Sequence, residues 1–252
     1  RTARAAPATM KTDTRALAAR GLADVALRGA SLREVMDRCA PKLADPRDRA
    51  LLMALLSEGA RWWLRFDAAV DGLLEKSLRH KDPAVHALLV LGLVQLEILE
   101  LQDYAAVAAT VEAVRSLKRP QLAGLVNAVL RRWQRERETL LAKLDGKPQT
   151  RHAHPAWLAA ALQRDWPEQA NAVMLADNRE PPLMLRVNRQ RAKRNVLIDQ
   201  LQAAGYAVTA HPWLADALVL PHSTDVTRMP GFDDGHFAVQ DGAAQIAADL
   251  AD

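Results

Sequence analysis

Cysteine is almost missing from these 252 residues: Cys39 is the single thiol, so no internal disulfide and no thiolate metal cluster can form. Aromatic residues are scarce at 4%, which with abundant alanine and leucine favours helix over strand. No run of about 18 uncharged apolar residues is available to cross a bilayer as a helix. The start, "RTARAAPATMKTDTRA", lacks the apolar core of a secretion signal. It is compatible with an Arg-rich transit segment or with a loose tail at residues 1–11, and the tail is our expectation. Catalytic signatures are missing as well. There is no GxxxxGK[ST] phosphate loop, no strand followed by GxGxxG, no HExxH and no GxSxG elbow. These absences lead us to expect a protein of the reducing cytoplasm with no membrane span.

What is present is alanine, leucine and charge. Half of the residues are hydrophobic, enough for one large or two ordinary cores. Unbranched side chains lose little rotamer freedom in helices, so helical packing should dominate. The net charge of +4 is unevenly spread. Residues 1–150 hold 25 Lys and Arg against 18 Asp and Glu, whereas residues 151–252 hold 9 against 12. The positive field therefore belongs to the first part, a pattern that suits a polyanionic partner.

From Thr12 to about Leu144 the apolar residues recur at helical spacing, interrupted by "GAS", "APKLADP", "RHKDP" and "LQDY". The pattern predicts helices at Asp13 to Leu27, Ser31 to Ala40, Pro46 to Phe66, Asp67 to Leu78, Pro83 to Leu99, Ala105 to Leu117 and Pro120 to Leu144. Asp45 and Asp82, each followed by proline, predict clean starts in which the carboxylate caps free amides and proline has no amide to lose. "DGKPQTRHAHP" then breaks the periodicity and is the expected linker and domain boundary. Two further helices are predicted near Pro155 to Gln163 and Pro167 to Asn178. Beyond "REPP" the period changes: "LMLRVN", "YAVTA", "DALVLP" and "GHFAVQ" read as strands, and "RNVLIDQLQAAG" as a helix closed by glycine. The expected organisation is thus mainly α. Residues 1–11 form a tail, 12–147 a helical domain, 148–180 a linker with two helices, 181–240 a small α+β module, and 241–252 the start of another helix.

Two basic stretches could carry function. In "KRPQLAGLVNAVLRRWQRERE", Leu122, Leu125, Val126, Val129, Leu130 and Trp133 share one helical face, while Arg131 and Arg135 lie opposite. Lys118, Arg119 and Arg132 belong to the same cationic crowd. The arginines could equally be the solvated back of a core helix, with Glu136 and Glu138 as local partners. The second stretch, "LRVNRQRAKR", holds Arg186, Arg189, Arg191, Lys193 and Arg194 with no acid between Pro181 and Ile198. It follows a strand and opens a helix, so Asn188 is expected to cap while Arg189 and Arg191 project near free amides, a geometry that receives phosphates. A solvated loop is the plainer alternative.

The other chemically capable residues offer less. His152 and His154 in "RHAHP" have no nearby acid or thiol to complete a metal set, so we expect incidental linker histidines and assign no metal. Cys39 ends a short helix and reads as a small buried apolar residue. Trp62, Trp63, Trp133, Trp157, Trp166 and Trp213 could stack bases. The first three occupy or adjoin apolar helical positions, where core packing is expected.

Several segments, in order, resemble one family. "DPRDRALLMALLSEGARWWLRFD", "GLVQLEIL", "TVEAVRSLKRPQLAGLVNAVLRRW", "HPAWL", "NREPPLMLRVNR" and "PGFDDGHFAVQDGAAQIAADLA" are similar to the bacterial 16S ribosomal RNA cytosine-C5 methyltransferases that carry an antitermination-factor NusB-like domain at the front, the RsmB/Sun family. The resemblance covers nearly the whole chain from about Thr12. It implies an all-helical NusB-like domain, a linker, a small RRM-like RNA-binding module, and then a Rossmann-like domain using S-adenosylmethionine that these residues do not contain.

In such enzymes a cysteine thiolate adds to cytosine C6, C5 is methylated, and a second cysteine helps to release the base. Cys39 matches neither motif, so no catalytic, cofactor-binding or metal residue is assigned. The implied role is RNA recognition, and this part is expected to be inactive alone. The implied partner is folded 16S ribosomal RNA, held by phosphate contacts and shape. The candidates are Lys118, Arg119, Arg131, Arg132 and Arg135 on the helical domain and Arg186, Asn188, Arg189 and Arg191 on the small one. Arg15 and Arg20 join them by similarity to the start of NusB-like domains. A monomer is expected. The alternatives are a non-enzymatic antitermination-type module, which the α+β portion argues against, and a helical interaction scaffold with no RNA role.

Overall fold

A computed structural model describes residues 12–250. The tail expected at residues 1–11 lies outside the described residues. Two compact units divide the chain, one ending at Asn178 and one starting at Arg179.

The first unit is built of helices α1 (Thr14–Arg28), α2 (Leu32–Cys39), α3 (Pro46–Arg61), α4 (Trp63–Leu73), α5 (Pro83–Glu97), α6 (Asp103–Ser116), α7 (Ala123–Asp145), α8 (Pro148–Arg151), α9 (Ala156–Asp165) and α10 (Ala170–Asp177). Its organising element is α5. Every residue from Val85 to Leu96 is buried, because a helix that is apolar all round can satisfy itself only inside a shell. That shell is made by α1, α3, α4, α6 and α7. The close approach of α7 requires a glycine: a Cβ on Gly92 would stand 2.7 Å from Leu130 Cδ2.

The helix starts follow local chemistry in two of three cases. Asp13 accepts from the Ala16 amide at 2.7 Å, and Asp45 from that of Arg47 at 2.8 Å. Asp82, expected to cap α5, makes no such bond. Its carboxylate accepts instead from Arg119 Nε at 2.6 Å, and Pro83 at the first helical position leaves one amide fewer to satisfy.

The predicted break at Asp67 is also corrected. The chain bends at Trp62 (φ −99°, ψ 11°), which turns Trp63 and Phe66 into the core. Asp67 sits inside α4, where it accepts from Arg79 at 2.7 Å and faces buried His86 Nε2 at 2.8 Å. The helix expected to reach Leu78 ends at Leu73, since Leu74 is extended (ψ 138°). The loop that follows brings Arg79 back onto Asp67 and Asp71.

The expected linker is folded into this unit. Arg65, only 8% exposed, donates to Asp145 Oδ1 at 2.7 Å and to the Thr150 carbonyl at 3.1 Å, which fixes α8 against α4. His152 and His154, read as incidental, are buried. His152 Nε2 meets Asn171 Oδ1 at 3.2 Å, its carbonyl accepts from Asn178 Nδ2 at 2.6 Å, and His154 Nε2 lies 3.4 Å from Asp177. The compact unit therefore continues past "DGKPQTRHAHP" through α9 and α10 to Asn178.

The second unit contains β1 (Leu183–Val187), α11 (Arg194–Ala203), β2 (Thr209–Ala210), β3 (Ala217–Leu220), β4 (Phe237–Val239) and α12 (Gly242–Leu250). The sheet order is β2-β3-β1-β4, with every pairing antiparallel. "YAVTA" yields only two strand residues, and the Val208 amide is taken by the Tyr206 carbonyl at 3.0 Å instead of a neighbouring strand. Alternation along β1 buries Leu185 and Val187 with Leu218, Phe237 and, from α11, Leu197 and Leu201. The same alternation sends Arg186 to the other face.

Candidate nucleic-acid interface

On the helical unit the candidate cations gather around the α6–α7 turn and the outer face of α7. Lys118 takes a left-handed conformation (φ 62°), and the amides of Lys118 and Arg119 close the end of α6 on the carbonyls of Arg115 and Val114 at 2.9 and 3.1 Å. That tight turn displays the Lys118 side chain, which is exposed and has no partner among the described residues. Arg119 is exposed but paired with Asp82. Arg20, on α1, donates to the Ser116 carbonyl at 2.8 Å and so lies near the same turn.

Along α7, Arg131, Arg132 and Arg135 fall within about 100° of arc, while Val126, Val129, Leu130 and Trp133 are buried on the opposite side. Arg135 is exposed with no partner among the described residues. Arg131 donates to Gln134 Oε1 at 3.0 Å and has no acidic partner among the described residues. Arg132 reaches both oxygens of Glu136 at 3.1 Å. Exposed pairs of this kind contribute at most about 1 kcal/mol, so Arg119 and Arg132 can exchange a carboxylate for a phosphate at little cost.

Arg15 stands apart. It is half-buried and donates to buried Gln95 Oε1 at 2.6 Å; Gln95 in turn donates to Leu91 O and to Thr110 Oγ1. Burial pushes the Arg15 guanidinium below its ordinary pKa, with Asp13 and Asp48 pulling it back up. The residue serves the join between α1, α5 and α6.

On the small unit the residues form a shallow cleft of about 580 Å³ whose lining includes Arg186, Asn188, Arg189, Asp216 and Gly235. Arg186 donates to Gln240 Oε1 at 3.3 Å, and Arg189 pairs with Asp216 at 2.5 Å. Arg191 is exposed and holds the Asp234 carbonyl at 2.8 Å, which leaves its charge unneutralised. Asn188 does not cap the helix. Its Oδ1 accepts from the Gln190 amide at 3.1 Å and its Nδ2 donates to the Gly235 carbonyl at 3.1 Å. The turn it initiates delays α11 until Arg194, which starts with no side-chain cap. Asn188 thus shapes the cleft wall, and the arginines supply the field.

Sequence periodicity missed the acids that partner these cations, because Asp82 and Asp216 lie 37 and 27 residues from Arg119 and Arg189. It also left open three tryptophans that prove exposed: Trp157 at 72%, Trp166 at 54% and Trp213 at 72%. Cys39 is buried. Among the described residues no group of three or more His, Cys, Asp and Glu could hold a metal ion. Nor do the described residues form the parallel-sheet crevice that would suit S-adenosylmethionine, since their sheet is antiparallel throughout. No described helix is long and apolar enough to cross a membrane.

Residues 12–135 match the NusB family, and residues 154–227 match the RsmF/B-like methyltransferase ferredoxin-like domain. Over 236 residues the chain is 43% identical to ribosomal RNA small subunit methyltransferase B of Pseudomonas putida, covering 94% of this chain and 54% of that protein. The protein of the same name from Xanthomonas campestris pv. campestris is 41% identical, with 94% and 52% covered. The chain spans about half the length of the curated relatives it matches. A crystal structure titled PH0851 shares the fold at a TM-score of 0.62 and 13% identity, covering 99% of this chain and 56% of that one.

Proposed function

From a chain that joins a NusB-family domain to an RsmF/B-like ferredoxin-like domain, we propose that these residues are the RNA-recognition portion of a small-subunit ribosomal RNA methyltransferase. The reaction is S-adenosylmethionine-dependent methylation of cytosine C5 in 16S RNA in the cytoplasm, and the chain acts as a monomer. The observation that carries the proposal is the pairing of these two domains in one order, at 43% identity to a relative of that name. A non-enzymatic antitermination-type module would have no use for the second domain.

The chain's own contribution is binding and orientation. Lys118, Arg131 and Arg135 on the helical unit and Arg186, Arg189 and Arg191 on the small unit receive phosphates, while Arg119, Arg132 and Arg20 add to the field and Asn188 holds the cleft wall. Cys39 cannot serve as the thiolate that adds to cytosine C6, since it is buried among α1 and α2. The cofactor supplies the methyl group when bound, and we assign none of the described residues to its cradle.

The test is a titration with a 16S-derived transcript between about 50 and 200 mM salt, where log affinity should fall by nearly one unit per log unit of salt for each phosphate contact. Salt-independent binding would overturn the proposal. Residues 1–252 are expected to transfer no methyl group to that transcript, and turnover by them would refute the division of labour.

A further inference from the structure

We propose that Trp213 is a stacking platform for an unpaired RNA base, placed so that the neighbouring nucleotides can lay their phosphates along the Arg186–Arg189 cleft. This inference rests on the RNA-recognition proposal above.

Trp213 lies in the loop between β2 and β3 and is 72% exposed. Leaving an indole in water is unfavourable by burial alone, yet the surrounding loop is firmly built. The His211 amide donates to the Ala217 carbonyl at 3.0 Å and the Ala217 amide to that of Leu214 at 3.3 Å. Arg194 donates to the Leu214 carbonyl at 3.1 Å, and His211 Nδ1 accepts from the Leu214 amide at 3.3 Å. Leu214 is buried, and a Cβ on Gly242 would stand 3.0 Å from its Cδ1. The His211 ring meets the indole at 4.7 Å and 77°, edge to face. A ring held in this way loses little freedom on stacking.

The position relative to charge selects the partner. Asp216, three residues from Trp213, pairs with Arg189 and lines the cleft, and three residues span at most about 10 Å. Residues 186–194 carry five cations and no acid. A flat π surface beside a cationic cleft fits single-stranded RNA, whose splayed bases stack while the backbone is neutralised. A protein surface would need no such arginine run.

Anisotropy titrations of the 252-residue chain at low salt provide the test, using a labelled 20-nucleotide oligocytidylate and a fully paired RNA duplex. Trp213→Ala should weaken oligocytidylate binding roughly 5- to 150-fold, and Trp213→Phe less than about 3-fold, since a phenyl ring still stacks. Duplex binding should change less than about 2-fold, because paired bases expose no face. Both variants should melt with the parent. Equal affinity of parent and Trp213→Ala for the single strand would overturn the inference and assign the indole to another partner, such as a protein. Equal weakening on single strand and duplex would overturn it too. If the parent bound neither RNA in a salt-dependent way, the recognition proposal would fall together with this one; salt-dependent binding with no effect of Trp213→Ala would sink this one alone.

Discussion

In the helical unit two arginines serve the fold, Arg65 bonding to Asp145 and the Thr150 carbonyl and Arg79 to Asp67 and Asp71. In the small unit Arg186, Arg189 and Arg191 stay at the surface, bound to Gln240, Asp216 and the Asp234 carbonyl. The inward guanidinium groups act as mortar; the surface cations of both units, Lys118 and Arg135 of the helical one included, are the bait of the proposed recognition. The difference follows from their frameworks. Ten packed helices leave polar helix ends and loop carbonyls at depth, and a long planar donor can satisfy several at once. The sheet of the small unit pairs part of its own backbone, and the arginines at the end of β1 and in the β1–α11 turn stay at its surface.

The largest effect should come from breaking the mortar. Asp67→Ala would leave buried His86 without its carboxylate and Arg79 with Asp71 alone. A loss of about 3–5 kcal/mol is expected, visible as a fall of roughly 6 °C or more in the thermal midpoint. RNA affinity well below the transition should be unaltered. A change under about 1 kcal/mol would show that the ladder from α4 to α5 carries little of the stability.

Reversing the bait comes next. Lys118→Glu combined with Arg135→Glu removes two exposed cations that have no partner among the described residues. It should cost about 2 kcal/mol or more of RNA binding at low salt and flatten the salt slope by about one unit per lost contact, with melting unchanged. The contrast sharpens at Arg15, an expected RNA contact that the fold turns toward Gln95. Arg15→Ala should lower stability by about 1–2 kcal/mol by depriving a buried amide of its donor, while RNA affinity moves less than about 2-fold. Loss of affinity without loss of stability would return Arg15 to the binding surface.

Much of this contrast was legible in the sequence. Helical spacing and Asp45 before Pro46 located the first helices, and "LMLRVN" was readable as a strand, although not its central place in the sheet or the side to which Arg186 points. What stayed hidden depends on partners distant in the chain. Nothing local tells that Trp62 rather than Asp67 ends a helix, because the buried place of Asp67 is set by His86, 19 residues on. "DGKPQTRHAHP" has loop composition, but Arg65 reaches its carbonyls from more than 80 positions away. The cationic segments of the candidate interface could be read directly; which cations are already occupied could not, since Asp82 and Asp216 arrive from other elements.

The smallest effect concerns His152, in the segment that sequence reasoning treated as a tether. The side chain is 3% exposed. Its pKa is pushed below the usual 6.5 chiefly by burial, with the Asn171 bond opposing and Arg151, His154 and Arg65 adding to the depression. Nδ1 is buried with no hydrogen-bond partner among the described residues, so a second ring proton would find no acceptor. The native state therefore favours neutral imidazole, and below about pH 6.5 the unfolded chain binds more protons than the folded one. Stability from this residue is complete above the unfolded pKa. It declines as pH falls through 6.5 and levels off below the depressed native value. Thermal midpoints measured from pH 8 to pH 5.5 should drop more steeply for the parent than for His152→Gln, which cannot take up the proton. Parallel pH profiles would mean that the ring takes up its proton as readily in the native as in the unfolded state, and that the α8–α10 segment is held less tightly than its buried hydrogen bonds imply.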